Sequence, residues 1–267
     1  MAAACASFTA ESPPAGADGG ANANASDSGG SSDAGDAAAT DEGGKVRDGY
    51  RANVLADGPI GYWRLDDSPG TTKAHDETKM HDGTYVGTCT LGVPGALPNE
   101  TAVHFDGKSC TVDLGANFGF PSRASFSIEA LVKTDATATG YGHIFSKQLR
   151  VSDAPVDGYA LLFDSPISTY AERAVNSDNR ITSPAAFPKA VFTHLIATYD
   201  GATLDVYVDG QPVGSGGDTT PMAQLTAHAL IGSAGTTNFF KGDIDEVAIY
   251  DKALTPDRIA AHAAASK

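Results

Sequence analysis

His194–Gly214 reads HLIATYDGATLDVYVDGQPVG, and its pattern sets the fold class. Leu204, Val206 and Val208 alternate with Asp205 and Tyr207, the period of a strand with one buried face. The apolar run Phe192–Tyr199 precedes it, and Asp200-Gly201 separates the two. Asp209-Gly210 follows, a dipeptide suited to a hairpin turn whose central residues both take φ > 0. The stretch is a three-strand antiparallel meander with two hairpin turns.

Outward from this meander the same pattern repeats. Phe126, Ile128, Ala130 and Val132 alternate with Ser127, Glu129, Leu131 and Lys133, giving one apolar and one mainly polar face. Further strands are expected at Gly83–Cys89, Ala102–Asp106, Cys110–Leu114, Gly142–Lys147, Tyr159–Phe163, Ala227–Gly232 and Lys241–Tyr250. The one good helix is terminal: Thr255 caps it, Pro256 takes its first position, Asp257 sits in its first turn, and it runs to about Ala265. These elements specify an all-β domain of two antiparallel sheets packed face to face, with a short C-terminal helix.

The 267 residues carry a net charge of −15. Met1–Gly44 holds no Lys or Arg and only Met1 and Phe8 as large apolar side chains, so it cannot bury enough surface to fold. It is expected to be a disordered Ala/Gly/Ser/Asp-rich spacer carrying −7, spanning roughly 35 Å in root-mean-square terms. That leaves −8 (−15 less −7) on the domain, residues 45–267. An acidic surface repels phosphate, which excludes nucleic acid and anionic membranes as partners. No apolar run approaches the roughly 20 residues of a transmembrane helix.

Cys89 and Cys110 flank strand-like segments and, in an exported chain, read as one disulfide closing a loop of roughly 20 residues. Cys5 follows Ala2-Ala3-Ala4 and precedes a polar spacer. That resembles the end of a bacterial lipoprotein signal, without the basic start and apolar stretch that come first in the pattern. Cys5 is therefore the expected lipid-attachment residue of a lipoprotein with a truncated signal, which would place the domain outside the cell or on its envelope.

GYWRLDD, HDGTYVG, AVHFDGKSCTVDLG, SFSIEALVKTD, HLIATYDGATLDVYVDG, ALIGS and FFKGDIDEVAIYDKALTPDRIAAH follow one another between Pro59 and His262. In that order they resemble the laminin-G-like domains of the concanavalin A-like lectin/glucanase superfamily. The resemblance implies a jelly-roll sandwich of two curved sheets, and an extracellular module binding glycans or proteins, often with a structural calcium ion. Some relatives of the same fold are glycosidases. In the family's pattern the Tyr62-Trp63 pair packs in the core.

GDIDEV holds the densest acidic cluster of the domain. On a regular strand Asp243 and Asp245 share one face about 7 Å apart, and Glu246 takes the other. Calcium needs about six to eight oxygens, more than one strand supplies. The expected ligand set therefore joins Asp243 and Asp245 to Asp66, Asp76 and Asp82 near the domain's start. In the competing reading, Asp245 and Glu246 serve turns and backbone amides. The glucanase relatives carry a pattern like E-x-D-x-x-E. Here the first acid is Asp and no Glu completes the set, which speaks against catalysis.

Gln148–Pro188 departs from tidy alternation and mixes aromatic, amide and guanidinium groups, the composition of a recognition loop on a rigid scaffold. Arg150, Tyr159, Tyr170, Asn176 and Arg180 are the candidate ligand-binding residues. The sequence is thus read as a non-catalytic lectin-like module tethered to a cell envelope, binding a glycan or an extracellular or envelope protein. Its competitors are a glycoside hydrolase or polysaccharide lyase on the same fold, and an adhesive surface protein that self-associates.

Overall fold

The computed structural model describes residues 47–149, 157–164, 168–175, 180–182 and 189–267. The spacer, Cys5, Arg150 and Asn176 lie outside the described residues. In chain order, helix α1 (Arg47–Ala56) leads into strands β1 (Gly61–Trp63), β2 (Lys73–Ala74), β3 (Gly83–Val86), β4 (Cys89–Pro94), β5 (Thr101–Asp106) and β6 (Thr111–Asp113). There follow β7 (Phe126–Thr134), β8 (Tyr141–Leu149), β9 (Asp157–Asp164), β10 (Ser168–Ala174) and β11 (Arg180–Thr182). The meander is β12 (Thr193–Tyr199), β13 (Thr203–Val208) and β14 (Gln211–Gly217), and β15 (Leu230–Ile231), β16 (Lys241–Tyr250) and helix α2 (Pro256–Ala265) end the chain.

The strands form two eight-stranded sheets. The first runs β14-β13-β12-β7-β16-β5-β4, with β1 also paired to β16; the second runs β11-β10-β9-β8-β15-β6-β3-β2. Every pairing between named strands is antiparallel. Asp209 and Gly210 take φ of 49° and 78°, as the hairpin after β13 requires. Alternation then sorts side chains into layers. Ile128, Ala130, Val132, Leu195, Ala197, Ile244 and Val247 from the first sheet meet Val112, Ile231, Phe145 and Leu161 from the second in one core. Trp63 is fully buried there, edge-on to Phe118, as its place in the pattern implied.

The outward face of the first sheet departs from the expected polar surface. Tyr62, Leu131, Ile196, Ala248 and Tyr250 on that face are covered by Tyr50 and Val54 of α1 and Ile259 of α2. The helix α1 was not expected. Its large apolar side chains are Tyr50 and Val54, four residues apart, and Leu55, in an otherwise polar sequence. Thr255 caps α2 as expected, its hydroxyl accepting from the amide of Arg258.

Cys89 and Cys110 form a disulfide with Cα atoms 4.8 Å apart. It ties β4, at the edge of the first sheet, to the turn entering β6 in the second. In the chain-entropy picture a loop of this size stabilises by about 3 kcal/mol. The double variant Cys89→Ser/Cys110→Ser should therefore melt several degrees lower, and reductant should lower the wild type to match; an unchanged melting temperature would show that the bond constrains nothing.

Candidate functional site

The two outward faces of the sandwich differ in chemistry. Under the helical roof on the first sheet lies Glu129 of β7, fully buried. Four side chains converge on its carboxylate. The hydroxyls of Tyr50 and Tyr250 donate at 2.7 and 2.8 Å, His194 Nε2 at 2.7 Å and His262 Nδ1 at 3.0 Å. Burial alone would push this carboxyl up, yet the His194 and His262 hydrogen bonds hold it well below the usual carboxylate range. His262 also reaches Asp57 with Nε2 at 2.9 Å. Both ring nitrogens face carboxylate acceptors, so both carry protons and the ring is an imidazolium. Burial opposes that charge, but Glu129 and Asp57 outweigh it and raise the pKa.

Beside this hub lie Asp245 and Glu246. A register shift between Asp245 and Ala248, with Glu246 at φ 53°, makes a bulge in β16. The expected alternation fails there. Glu246 turns to the same roofed side as Asp245 and accepts from the hydroxyl of Tyr62. Arg64 closes the cluster, reaching Asp66 at 3.1 Å, Glu100 at 2.8 Å and Glu246 at 3.2 Å. Asp245 accepts from the Ala96 amide at 2.8 Å and keeps Oδ1 buried without a partner. Burial pushes Asp245 up to about 8; Glu100 adds to the push, which the Ala96 amide and Arg64 only partly offset.

The five carboxylates expected to share a calcium ion thus occupy separate places. Asp66 is taken by the Arg64 guanidinium, and Asp245 by the Ala96 amide. Asp76 is buried and accepts the amides of Tyr62, Thr78 and His81, while Asp82 accepts the amide of Asp76. Asp243 pairs with His104 and Lys133. Among the described residues no three His, Cys, Asp or Glu side chains are grouped to hold a metal ion.

Among the described residues no helix lies on the outward face of the second sheet. Register aligns Thr84, Asp113, Leu230, Ser146, Ala160, Glu172 and position 180 in one row across β3, β6, β15, β8, β9, β10 and β11. The next row inward, Val112, Ile231, Phe145, Leu161 and Ala171, is core. The face is open at β3 and β6, where His228 Nδ1 meets Asp113 at 2.8 Å, and it is closed over Ser146, Ala160 and Glu172. Of the candidate ligand residues, Tyr170 and Arg180 fall by backbone register on this face, beside Leu162 and Glu172 respectively. Tyr159 does not. Its position is inward, its ring stacks among Phe120, Phe126 and Phe145, and its hydroxyl donates to the carbonyl of Phe118. The period-two rule already separates it from Ala160, so its assignment to a recognition loop is corrected.

Residues 106–260 match the concanavalin A-like lectin/glucanases superfamily. The chain belongs to that superfamily. Among solved structures it resembles domain 4 of AbnA, a GH43 extracellular arabinanase from Geobacillus stearothermophilus, in complex with arabinotriose. The TM-score is 0.61 at 20% identity, covering 77% of this chain and 98% of that one. It also resembles the sialidase of Trypanosoma rangeli in complex with sialic acid, with a TM-score of 0.56 at 18% identity, covering 76% of this chain. This chain spans only 32% of that sialidase. At such identities the likeness is one of fold. No curated protein matches the sequence.

In this concanavalin A-like domain the roof makes stability depend on pH. Asp245 has its folded pKa raised above the unfolded value, so the stability it contributes is complete below about pH 4 and is lost as pH rises toward 8. His262, also raised, contributes fully below about 6.5 and loses its contribution above it. Both act in one direction, so unfolding free energy should fall from pH 5 to 7.5 by roughly 1 kcal/mol per unit. Urea titrations across that range test it. Asp245→Asn should flatten the slope, and a wild-type stability that rises with pH would contradict the buried, protonated acid.

Proposed function

We propose that this domain is a non-catalytic carbohydrate-binding module that takes an oligosaccharide on the outward face of its second sheet. One observation carries the reading: the roof of α1 and α2 occupies the first sheet's outward face, while on the second sheet's outward face the described residues form no helix and Thr84, Asp113 and His228 reach solvent at β3 and β6. Asp113 and His228 stand at its open end, where a fixed carboxylate and imidazole can hold sugar hydroxyls. Resemblance in fold to a domain seen with arabinotriose agrees with this use. Catalysis is the weaker reading, because Asp245 and Glu246 are sealed under the roof and both oxygens of Asp243 are engaged. A disulfide favours an oxidising compartment, so the module works outside the cytoplasm, with the lipid-anchored tether as the finer expectation.

Calorimetric titration with arabino-, xylo-, gluco- and galacto-oligosaccharides tests the reading. At least one series should bind. Asp113→Ala/His228→Ala should weaken it about tenfold or more, as loss of hydrogen bonds involving a charged group does, with an unchanged melting temperature. Hydrolysis of any of these sugars, or binding indifferent to both substitutions, would remove it.

A further inference from the structure

A second concavity lies on the first sheet, where β16 and β5 run past the edge of the helical roof. It holds about 290 Å³ and is lined by His104, Lys133, Asp243 and the backbone of the turn after β7. That volume sits at the small end of ligand sites and suits one sugar ring rather than a chain.

Asp243 organises it. Its side chain is nine-tenths buried, with Oδ1 on His104 Nδ1 at 2.7 Å and Oδ2 on Lys133 Nζ at 2.6 Å. Both its oxygens are used, so the carboxylate positions two neighbours instead of meeting a ligand itself. A carboxylate accepts, so His104 Nδ1 carries a proton, and in the neutral imidazole Nε2 is then the acceptor. The imidazole remains about a third exposed on its other side. Lys133 spends one N–H on Asp243 and lies over the ring of Phe192 at 4.8 Å, which fixes the ammonium while leaving it a further donor. Gly242 forms the floor at φ 145°. A Cβ there would stand 2.2 Å from the carbonyl oxygen of Lys133, so no side chain can fill the space.

The cleft therefore offers one acceptor, His104 Nε2 on β5, and one donor, Lys133 Nζ on β7, the two strands that flank β16 and whose side chains both close on Asp243. A vicinal diol matches that pair: one hydroxyl donates to the imidazole and its neighbour accepts from the ammonium. Charge selects the same ligand. Lys133 is balanced by Asp243, and Asp135 by Lys241 at 3.4 Å, inside an acidic domain that repels anions. We propose that this cleft is a second, independent site that binds a single neutral sugar ring through a vicinal diol. It goes beyond the face assigned above and does not rest on it.

The test follows the imidazole of His104 by NMR at pH 7.5 in protein labelled with [15N]histidine, and assigns it with His104→Gln. L-Arabinose, D-galactose and cis-1,2-cyclohexanediol are titrated, with cyclohexanol as control. At least one diol should move the His104 Nε2 signal saturably, and cyclohexanol should not. Lys133→Met should weaken the response about tenfold. Ala136→Phe, an exposed rim substitution that spares the polar groups, should abolish it. Asp113→Ala/His228→Ala should leave it unchanged, which separates this site from the proposed oligosaccharide face. No saturable shift with any diol, an equal shift with cyclohexanol, or a shift that survives Ala136→Phe would overturn the proposal.

Discussion

The buried carboxylate of Glu129 is the constraint on which the roofed half of the molecule depends. It sits at the centre of β7 and receives donors from α1 (Tyr50), β12 (His194), β16 (Tyr250) and α2 (His262). Four elements distant in sequence are thereby fixed to one side chain. Removing the opposite charge of a buried ion pair costs about 3–5 kcal/mol, because a charge is left buried and uncompensated, and here that partner is the imidazolium of His262. His262 extends the chain to Asp57, and Arg258 holds Asp57 at 2.8 Å, so each added charge is matched by an opposite one. The helices are therefore attached by directional bonds as well as by the apolar contacts of Val54 and Ile259. That makes the roof specific in register as well as favourable in area.

A roof fixed in this way divides the labour between the faces. It consumes the centre of the first sheet, which leaves the second sheet and the margin of the first as the sheet surfaces open to a ligand. The division runs through one strand. In β16, Asp243 lies beyond the roof and organises an open cleft, while Asp245 and Glu246 lie beneath it. The bulge decides the last of these, because a regular strand would have aimed Glu246 into the core. Three acids that look alike in GDIDEV thus have three different tasks.

What could be read in the sequence was periodicity and turn chemistry. The meander His194–Gly214, β16, the capped helix α2 and the inward rows all follow from local pattern, and local pattern is what those elements obey. Cys89 and Cys110 were legible because a disulfide leaves its reactants in the sequence. The failures share a cause in non-local structure. The polar face of β7 looked solvated because nothing near Glu129 announces the two helices that cover it. Helix α1 has few large apolar side chains, Tyr50, Val54 and Leu55, and its stability comes from the sheet it covers. The acids placed in one calcium set are near each other in sequence blocks, yet Arg64 and the amides around Asp76 claim them individually. Tyr159 was misassigned by composition where alternation would have placed it correctly.

That alternation also explains how the second sheet can vary its surface without losing its fold. Ser146 faces outward, and the next residue, Lys147, turns inward to donate from Nζ to the carbonyls of Ala116 and Ala227 at 3.2 and 2.6 Å. Burial pushes its pKa down to about 8, a cost that two carbonyl acceptors help to offset. Glu172 faces outward, and Arg173 beside it turns inward to Asp218 at 2.6 Å and stacks over Tyr199 at 4.4 Å. Ala160 faces outward, and Tyr159 before it fills the aromatic core. At each pair the inward residue anchors the strand, while its outward neighbour is covered in turn: Ser146 donates to the carbonyl of Ser233 at 2.7 Å. Only the open end of the row, Thr84 and Asp113 with His228 beside it, is therefore available to vary what the face presents, while the inward anchors keep β8, β9 and β10 in register.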